Sequence, residues 1–504
     1  MQIDRIKYED YKDKIITAEQ AAGMFKDKMT VGSSGFTKAG DSKAVLPAFA
    51  ARAANENIAI TLITGASLGH TTDSDLARAD ALYKRMPFQV DSVLREKINN
   101  GSVFFIDQHL SETAELLNNK HLPALDLAII EASQIDSNGN IIPTTSIGNS
   151  ATFAKLANKV IIEINTSIPI NFNGIHDVFI PEEYPVRDIL PITSVNTRIG
   201  KEYICIDPKK IAGIVFTELP DSPAQETSSD DKTEAIANHL ITFFENEVKS
   251  GRLTESLLPL QAGIGKIANA VLSGFSKGNF KHLTMYSEVL QDSTFELIDS
   301  GIMDFASASS ITVSKSCYDH LMANFETYKD KIILRPQNIS NAPEVIRRLG
   351  VIAINTAIEF DIYGNVNSTH ITGSKMMNGI GGSGDFARNA YLSIFVCPSV
   401  SKQDNAISHV LPMVSHVDHT EHDVDILVTE NGLADLRGLA PRERAVQIIN
   451  NCVHPDYREA IQSYYDRACE RGGHTPHLLE EAFSWHLNYV NNGTMKVLCT
   501  AENS

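Results

Sequence analysis

Short β-branched runs alternate with stretches whose apolar residues recur at helical spacing along nearly the whole chain. That pattern predicts an α/β protein built on largely parallel sheets. Residues 16–29 carry helical periodicity, with Thr17 placed as the cap and Glu19 and Gln20 early in the helix. Thr30 and Val31 lead into a Gly-rich turn, GSSGFTKAGDSK, and a second helical pattern covers 44–54. A strand is predicted at 58–64, ending in GASLG, where Gly65, Ala66, Ser67 and Gly69 let other groups approach the backbone closely. Further strands are predicted at 125–131 and 159–164, and a further helix at 233–249. HLTMYS, 282–287, reads as a strand, and VLQDSTFELIDSG after it as a helical segment closed by Gly301. Glu288 falls at that junction. It is either a first-turn acid favoured by the helix dipole or a reactive carboxylate at a strand end, where α/β proteins place their chemistry.

The hydrophobic pattern repeats internally. LAIIEASQIDSNGNIIPT at 127–144 aligns with IAINTAIEFDIYGNVNST at 352–369, so that Asp136, Gly139 and Asn140 fall on Asp361, Gly364 and Asn365. IGNSATFA at 147–154 aligns with IGGSGDFA at 380–387, with an insertion in the second half only. Weaker likeness joins SGFTKA to AGIGKIA and the GASLG turn to YSEVLQD, which sets Ser67 approximately opposite Glu288. The expectation is two similar α/β domains from a duplication, 1–215 and 233–504, facing each other across a cleft. Residues 216–232, FTELPDSPAQETSSDDK, are rich in Pro, Ser and acids and read as a solvated linker.

Composition narrows the function. The 504 residues carry a formal net charge of -18, which argues against nucleic acid or an anionic membrane as the main partner. No apolar run approaches the roughly 20 residues of a membrane span. The N-terminal MQIDRIKYEDYKDK lacks the apolar core of a secretory signal. Cys205, Cys317, Cys397, Cys452, Cys469 and Cys499 are scattered without a Cys-x-x-Cys pair, so neither a disulfide framework nor a thiolate zinc site is suggested, and a cytoplasmic location is expected.

Several constellations are candidates for chemistry. Gly379, Gly381 and Gly384 have G-x-G-x-x-G spacing, but no β-branched strand runs straight into them and no Walker motif exists. Such a loop is better suited to offering backbone N–H groups to a developing oxyanion. His416, His419 and His422, with Asp418, Glu421 and Asp423, suggest a metal site, yet their spacing is no recognised helical pair, and a polar loop or supporting network is the favoured reading. Asn341 reads as the N-cap of a helix that starts at Ala342, Pro343 and Glu344 and stops at Gly350. Glu430, like Glu288, follows a strand, DILVTE.

QAGIGKIANAV, YSEVLQD, ISNAPEVIRRLG, DIYGNVNSTH, GSKMMNGIGGSGDFARNAYLSIF, MVSHVDHTEHDVDILVTENGLADLRGL and HPDYR together resemble the acetyl-CoA hydrolase/transferase family of class I coenzyme A transferases, most closely its succinyl-CoA:acetate CoA-transferases. The likeness extends over nearly the whole chain. It implies two similar α/β domains with the active site between them, and ping-pong chemistry in which Glu288 becomes a glutamyl-CoA thioester. By the same resemblance Ile264 and Gly382 supply oxyanion N–H donors. Leu260, Gln261, Ala262, Gly263, Ile264, Ile358, Asn378, Gly382 and Lys402 match positions that contact coenzyme A, and Asn341 and Glu430 match the small-carboxylate site. No metal and no tightly bound cofactor is expected, coenzyme A being substrate and covalent intermediate, and the resemblance implies a homodimer. One departure stands out: residues 216–231 hold no Arg or Lys, where the resemblance leads one to expect basic residues. A CoA transferase, a thioesterase using water at the same intermediate, and a non-catalytic acyl-CoA binder remain distinct readings; the intact YSEVLQD motif argues against the last.

Overall fold

The computed structural model describes residues 3–185, 187–225, 230–401 and 404–496. Two parallel sheets organise the chain. The first has seven strands, in the spatial order Phe104–Phe105, Leu82–Met86, Ile60–Ile63, Thr30–Ser33, Leu127–Ala132, Lys159–Asn165 and Ile211–Thr217. The second has eight: Ile332–Leu334, Met303–Ala308, Leu283–Tyr286, Leu260–Ala262, Ile352–Thr356, Leu392–Val396, Ile426–Thr429 and an antiparallel edge strand, Gly432–Asp435. In both, the first strand in sequence sits centrally and the next three step outward on one side before the chain returns to the other. The β-branched runs that predicted strands are these central, fully buried ones, such as Leu127–Ala132.

The internal repeat is visible in detail. Asp136 and Asp361 close the same turn: each accepts the following asparagine's backbone N–H, at 2.9 Å for Asn140 and 3.0 Å for Asn365. Gly139 and Gly364 supply its left-handed residue, at φ +81° and +93°. The register slips at the same place in both sheets, between Ile60 and Thr61 and between Leu283 and Thr284. That shared slip corrects the expected alignment of the turn that carries Glu288. Counting on from it, Glu288 corresponds to Gly65 and not to Ser67.

The two halves are packed directly together. The buried ion pair of Asp177 and Arg335 joins them, Phe172 stacks on Phe325 at 4.6 Å, and backbone bonds run from Ile311 N–H to Thr145 and from Gln337 N–H to Gly148. The first helix is shorter than its periodicity suggested, Ala18–Ala22, although Thr17 is its cap as expected and forms a capping box with Gln20. Past the last strand of the first sheet the chain is not free in solvent. Asp221 reaches back to the buried Lys43 ammonium at 2.8 Å, where Glu131 and Asp41 also converge, and Ala224 N–H donates to the Val313 carbonyl. The described part of the stretch taken from its composition for a solvated linker, up to residue 225, is therefore clipped to both halves, and the next helix begins at Asp231.

Candidate active site

Three neighbouring parallel strands, Leu283–Tyr286, Leu260–Ala262 and Ile352–Thr356, end on one edge of the second sheet. The residues just beyond those ends meet in a cavity of about 280 Å³. Strand carboxyl ends are where such sheets leave room for ligands. Glu288 lies there, between Tyr286 and the two-residue strand Val289–Leu290, with its carbonyl held by the N–H groups of Ser309 (2.8 Å) and Ser310 (3.1 Å). The following helix is Asp292–Asp299, capped by Gln291. Its first-turn acid is Asp292, so the reading of Glu288 as a first-turn helix acid is overturned.

Ala262, Gly263, Ile264, Glu288, Ile358, Asn378 and Gly382 all line the cavity, and Phe36, Phe88 and Leu110 of the first half form its far wall. Leu260 and Gln261 are buried in the strand behind it, the latter bonded to Asn355 at 3.1 Å. Lys402 lies outside the described residues. Glu430 is not on the cavity wall; it accepts from Ser399 N–H at 2.6 Å and pairs with Lys232 at 3.2 Å. Burial alone would raise its pKa, but these donors outweigh burial and hold it below the usual range.

The Glu288 carboxylate is set deep, with part of its surface on the cavity. Burial pushes its pKa up to about 7; the Asn341 amide opposes this and the Asp385 charge adds to it. Asn341 Nδ2 donates to Oε1 at 2.9 Å, and among the described residues no protein donor reaches Oε2. Asn341 is thus not an N-cap. Ala342 holds that place before Pro343–Leu349, and Asn341 ends the short helix Gln337–Ser340 with its side chain turned inward. Gly382 closes the other side. A Cβ there would stand 2.0 Å from Glu288 Oε1 and 2.2 Å from Asn341 Nδ2. Its φ of -95° is ordinary, and Asn149, its counterpart in the first half, has the same backbone angles. Glycine is needed for space and not for conformation. In the first half the exchange is reversed, with Gly65 at the carboxylate position and Asn149 reaching the Thr64 carbonyl.

Among the described residues the N–H groups of Ile264 and Gly382 on this wall have no protein acceptor, and neither do those of Gly379 and Gly381 in the same glycine loop. Others nearby are engaged: Gly263 N–H donates to Ile354, Gly265 N–H to Gln291 Oε1 at 3.1 Å, and Ile380 N–H to Asp107 at 2.8 Å. Gln291 also donates to the Gly263 carbonyl, pinning the QAGIG turn from both sides. Gln291, Asp107, Ser111 and Asp385 are residues that reading the sequence missed. The sequence motifs contained two of them, Gln291 in YSEVLQD and Asp385 in the glycine loop, while nothing marked Asp107 or Ser111. The histidine-rich loop supports this wall. His419 packs against Phe395 with the rings tilted and lies 3.1 Å from Ser383 Oγ, whereas His416 faces His370 and Asp418 and His422 is exposed. Among the described residues no group of three His, Cys, Asp or Glu has metal-binding geometry.

Sequence profiles of known families match both halves: the acetyl-CoA hydrolase/transferase N-terminal domain over residues 1–216 and the C-terminal domain over 315–465. The chain belongs to the acetyl-CoA hydrolase/transferase family. Within that family it is 48% identical over 495 residues to the succinyl-CoA:acetate CoA-transferase of Clostridium kluyveri, covering 98% of this chain and 92% of that one. It is 46% identical over 515 residues to the acetyl-CoA hydrolase of Saccharomyces cerevisiae, covering 98% and 97%. The fold is shared with RipA from Yersinia pestis (TM-score 0.71, 21% identity, covering 91% of this chain and 98% of that one). It is also shared with a 4-hydroxybutyrate CoA-transferase from Porphyromonas gingivalis (TM-score 0.63, 22% identity, covering 91% and 99%). As a member of the acetyl-CoA hydrolase/transferase family the protein is an enzyme acting on coenzyme A thioesters. No helix among the described residues is long and apolar enough to cross a membrane.

Proposed function

We propose that the protein is a CoA transferase that moves coenzyme A from succinyl-CoA or acetyl-CoA to a short carboxylate such as acetate, through a glutamyl-CoA thioester on Glu288. The observation that carries this is one cavity wall holding a carboxylate with an unengaged Oε2 and unengaged backbone N–H groups, those of Ile264 and Gly382 among them. Glu288 Oε2 attacks the acyl thioester carbonyl, the C–S bond breaks, and CoA thiolate leaves a mixed anhydride. The thiolate then attacks the glutamyl carbonyl and expels the original carboxylate. A second carboxylate reverses both steps and departs with CoA. Each addition places negative charge on an oxygen, which N–H donors fixed in advance stabilise without reorganising. Burial of Glu288 favours the attack, because a carboxylate stripped of part of its hydration is the better nucleophile.

A cavity of this volume lies just under the roughly 300–1,000 Å³ of sites that enclose drug-sized ligands. It suits the thioester and the end of the pantetheine arm, with Ile358 and Asn378 beside them. By family likeness Asn341 belongs with the small-carboxylate site, and since its amide donates to Glu288 and Asp385 its part there is to hold the Glu288 carboxylate. Glu430, paired with Lys232, is not a bare acid that would repel a dicarboxylate. The five described cysteines are all free thiols, in keeping with a reducing cytoplasm, and a homodimer follows from the family likeness.

The second reading is hydrolysis, favoured by relatives such as the yeast acetyl-CoA hydrolase. Both share the first half-reaction and differ in whether a carboxylate or water resolves it. Following succinyl-CoA loss with and without acetate separates them. A transferase consumes succinyl-CoA in step with acetyl-CoA formation and only with acetate present, whereas equal loss without acetate, with free thiol released, makes the enzyme a hydrolase.

A further inference from the structure

From this geometry we infer that Asp385, held by Ser111 of the first half, is a positioning residue that fixes the Asn341 amide against the Glu288 nucleophile. The inference rests on the reading of Glu288 given above and adds to it a residue two steps from the reacting atoms.

Three observations carry it. Asp385 is buried, 4% exposed, at the start of the helix Ser383–Asn389 that follows the glycine loop. Its carboxylate accepts Ser111 Oγ–H at 2.6 Å on Oδ1 and Ser111 N–H at 3.1 Å on Oδ2. The same Oδ2 accepts Asn341 Nδ2–H at 3.2 Å, so the one amide nitrogen bridges Asp385 and Glu288. A carboxamide has two N–H bonds, and here each is spent on a carboxylate. With acceptors on both sides, the flipped amide would set its oxygen against two carboxylates and lose both bonds. The pair of acids thus selects one orientation, and Asn341, fully buried, has no water-exposed alternative.

The charged and titratable groups facing Asp385 are Glu288 across the amide and His109 from the loop that carries Ser111. Those facing Glu288 reduce to Asp385. Two effects of removing the Asp385 charge are therefore separable from removing its shape. In Asp385→Asn the amide oxygen can keep both N–H donors while its NH2 donates to the Ser111 hydroxyl, so the clamp survives and only the like charge beside Glu288 is lost. In Asp385→Ala the clamp itself is lost.

The test is the rate at which excess acetyl-CoA builds the CoA adduct on Glu288, followed by acid quench and intact mass from pH 5 to 9, with the KM for acetyl-CoA from steady state. Asp385→Ala should slow adduct formation on the order of 10- to 100-fold, the scale of a misplaced reacting group, with KM changed less than about threefold. Asp385→Asn should stay within about fivefold of the parent rate and move the acidic limb of the profile to lower pH. Ser111→Ala, which leaves Asp385 in place, should fall between them and guards against an alanine variant that fails to fold. The inference is overturned if Asp385→Ala, or Ser111→Ala where the former does not fold, forms adduct at the parent rate. It is equally overturned if the Asn and Ala variants lose rate alike with no movement of the limb, the result of a purely structural role. Absence of adduct in the parent enzyme overturns the Glu288 reading itself, and this inference with it.

Discussion

At the level of single residues, Gly382 and Glu288 define the account. A methyl group at 382 has no room beside Oε1, while the backbone angles there suit any residue. Gly382→Ala should therefore lower kcat by on the order of a hundredfold or more with a melting temperature close to the parent's. Similar losses in both would mark a turn that needs glycine to fold. Glu288 carries its own pH signature. The nucleophile must be ionised, so kcat/KM for acyl-CoA should fall as pH drops below about 7. Stability runs the other way. A carboxyl whose folded pKa lies above its unfolded value binds more protons in the folded state, so it stabilises below the unfolded value and loses that contribution as pH rises toward 7. Glu288→Ala should thus gain stability relative to the parent at pH 8 compared with pH 5, on the order of 1 to 3 kcal/mol given its partial contact with the cavity. Paired thermal melts at the two pH values read this directly. A difference of the opposite sign contradicts the buried, raised carboxyl.

Among the elements, the strands were legible wherever β-branched residues run together, as in Leu127–Ala132, and so was the duplicated Asp-x-x-Gly-Asn turn. What the sequence hid were contacts whose partners lie far along the chain. Asn341 stands before Ala-Pro-Glu, as an N-cap would, and only the approach of Glu288 and Asp385 reveals its other use. The match of Ser67 to Glu288 failed because small residues fill that turn in the first half, leaving no apolar position to anchor an alignment until the shared register slip supplies one. The Pro- and Ser-rich connection looked solvated because nothing local marks Asp221 as the partner of a buried lysine. That lysine makes its own prediction. Lys43 is the cation among Asp41, Glu131 and Asp221, and burial together with repulsion from Asp221 holds Asp41 and Glu131 above the usual range although Lys43 opposes the rise. Lys43→Met should cost about 3–5 kcal/mol at pH 8, as breaking a buried pair does, and less at pH 5, where the carboxyls can be neutral. A urea midpoint unchanged at both pH values would show that the cluster holds nothing together.

For the whole molecule, the open question is the acceptor. Both halves contribute to one small cavity, whose far wall of Phe36, Phe88 and Leu110 is apolar, and a short monocarboxylate fits that lining better than a second charge does. Values of kcat/KM should fall from acetate through propionate to butyrate; a tenfold preference for succinate over acetate would contradict an apolar acceptor pocket. Acceptor choice, transfer against hydrolysis and the Asp385 clamp all depend on a covalent enzyme. The direct measurement is the intact mass of the protein after incubation with acyl-CoA alone, with peptide mapping of the product. The account predicts a species heavier by coenzyme A less one water, mapped to Glu288, discharged by acetate, converted by hydroxylamine to a hydroxamate, and missing in Glu288→Ala. An unmodified parent enzyme that still turns over, or a Glu288→Ala enzyme with normal turnover, contradicts it.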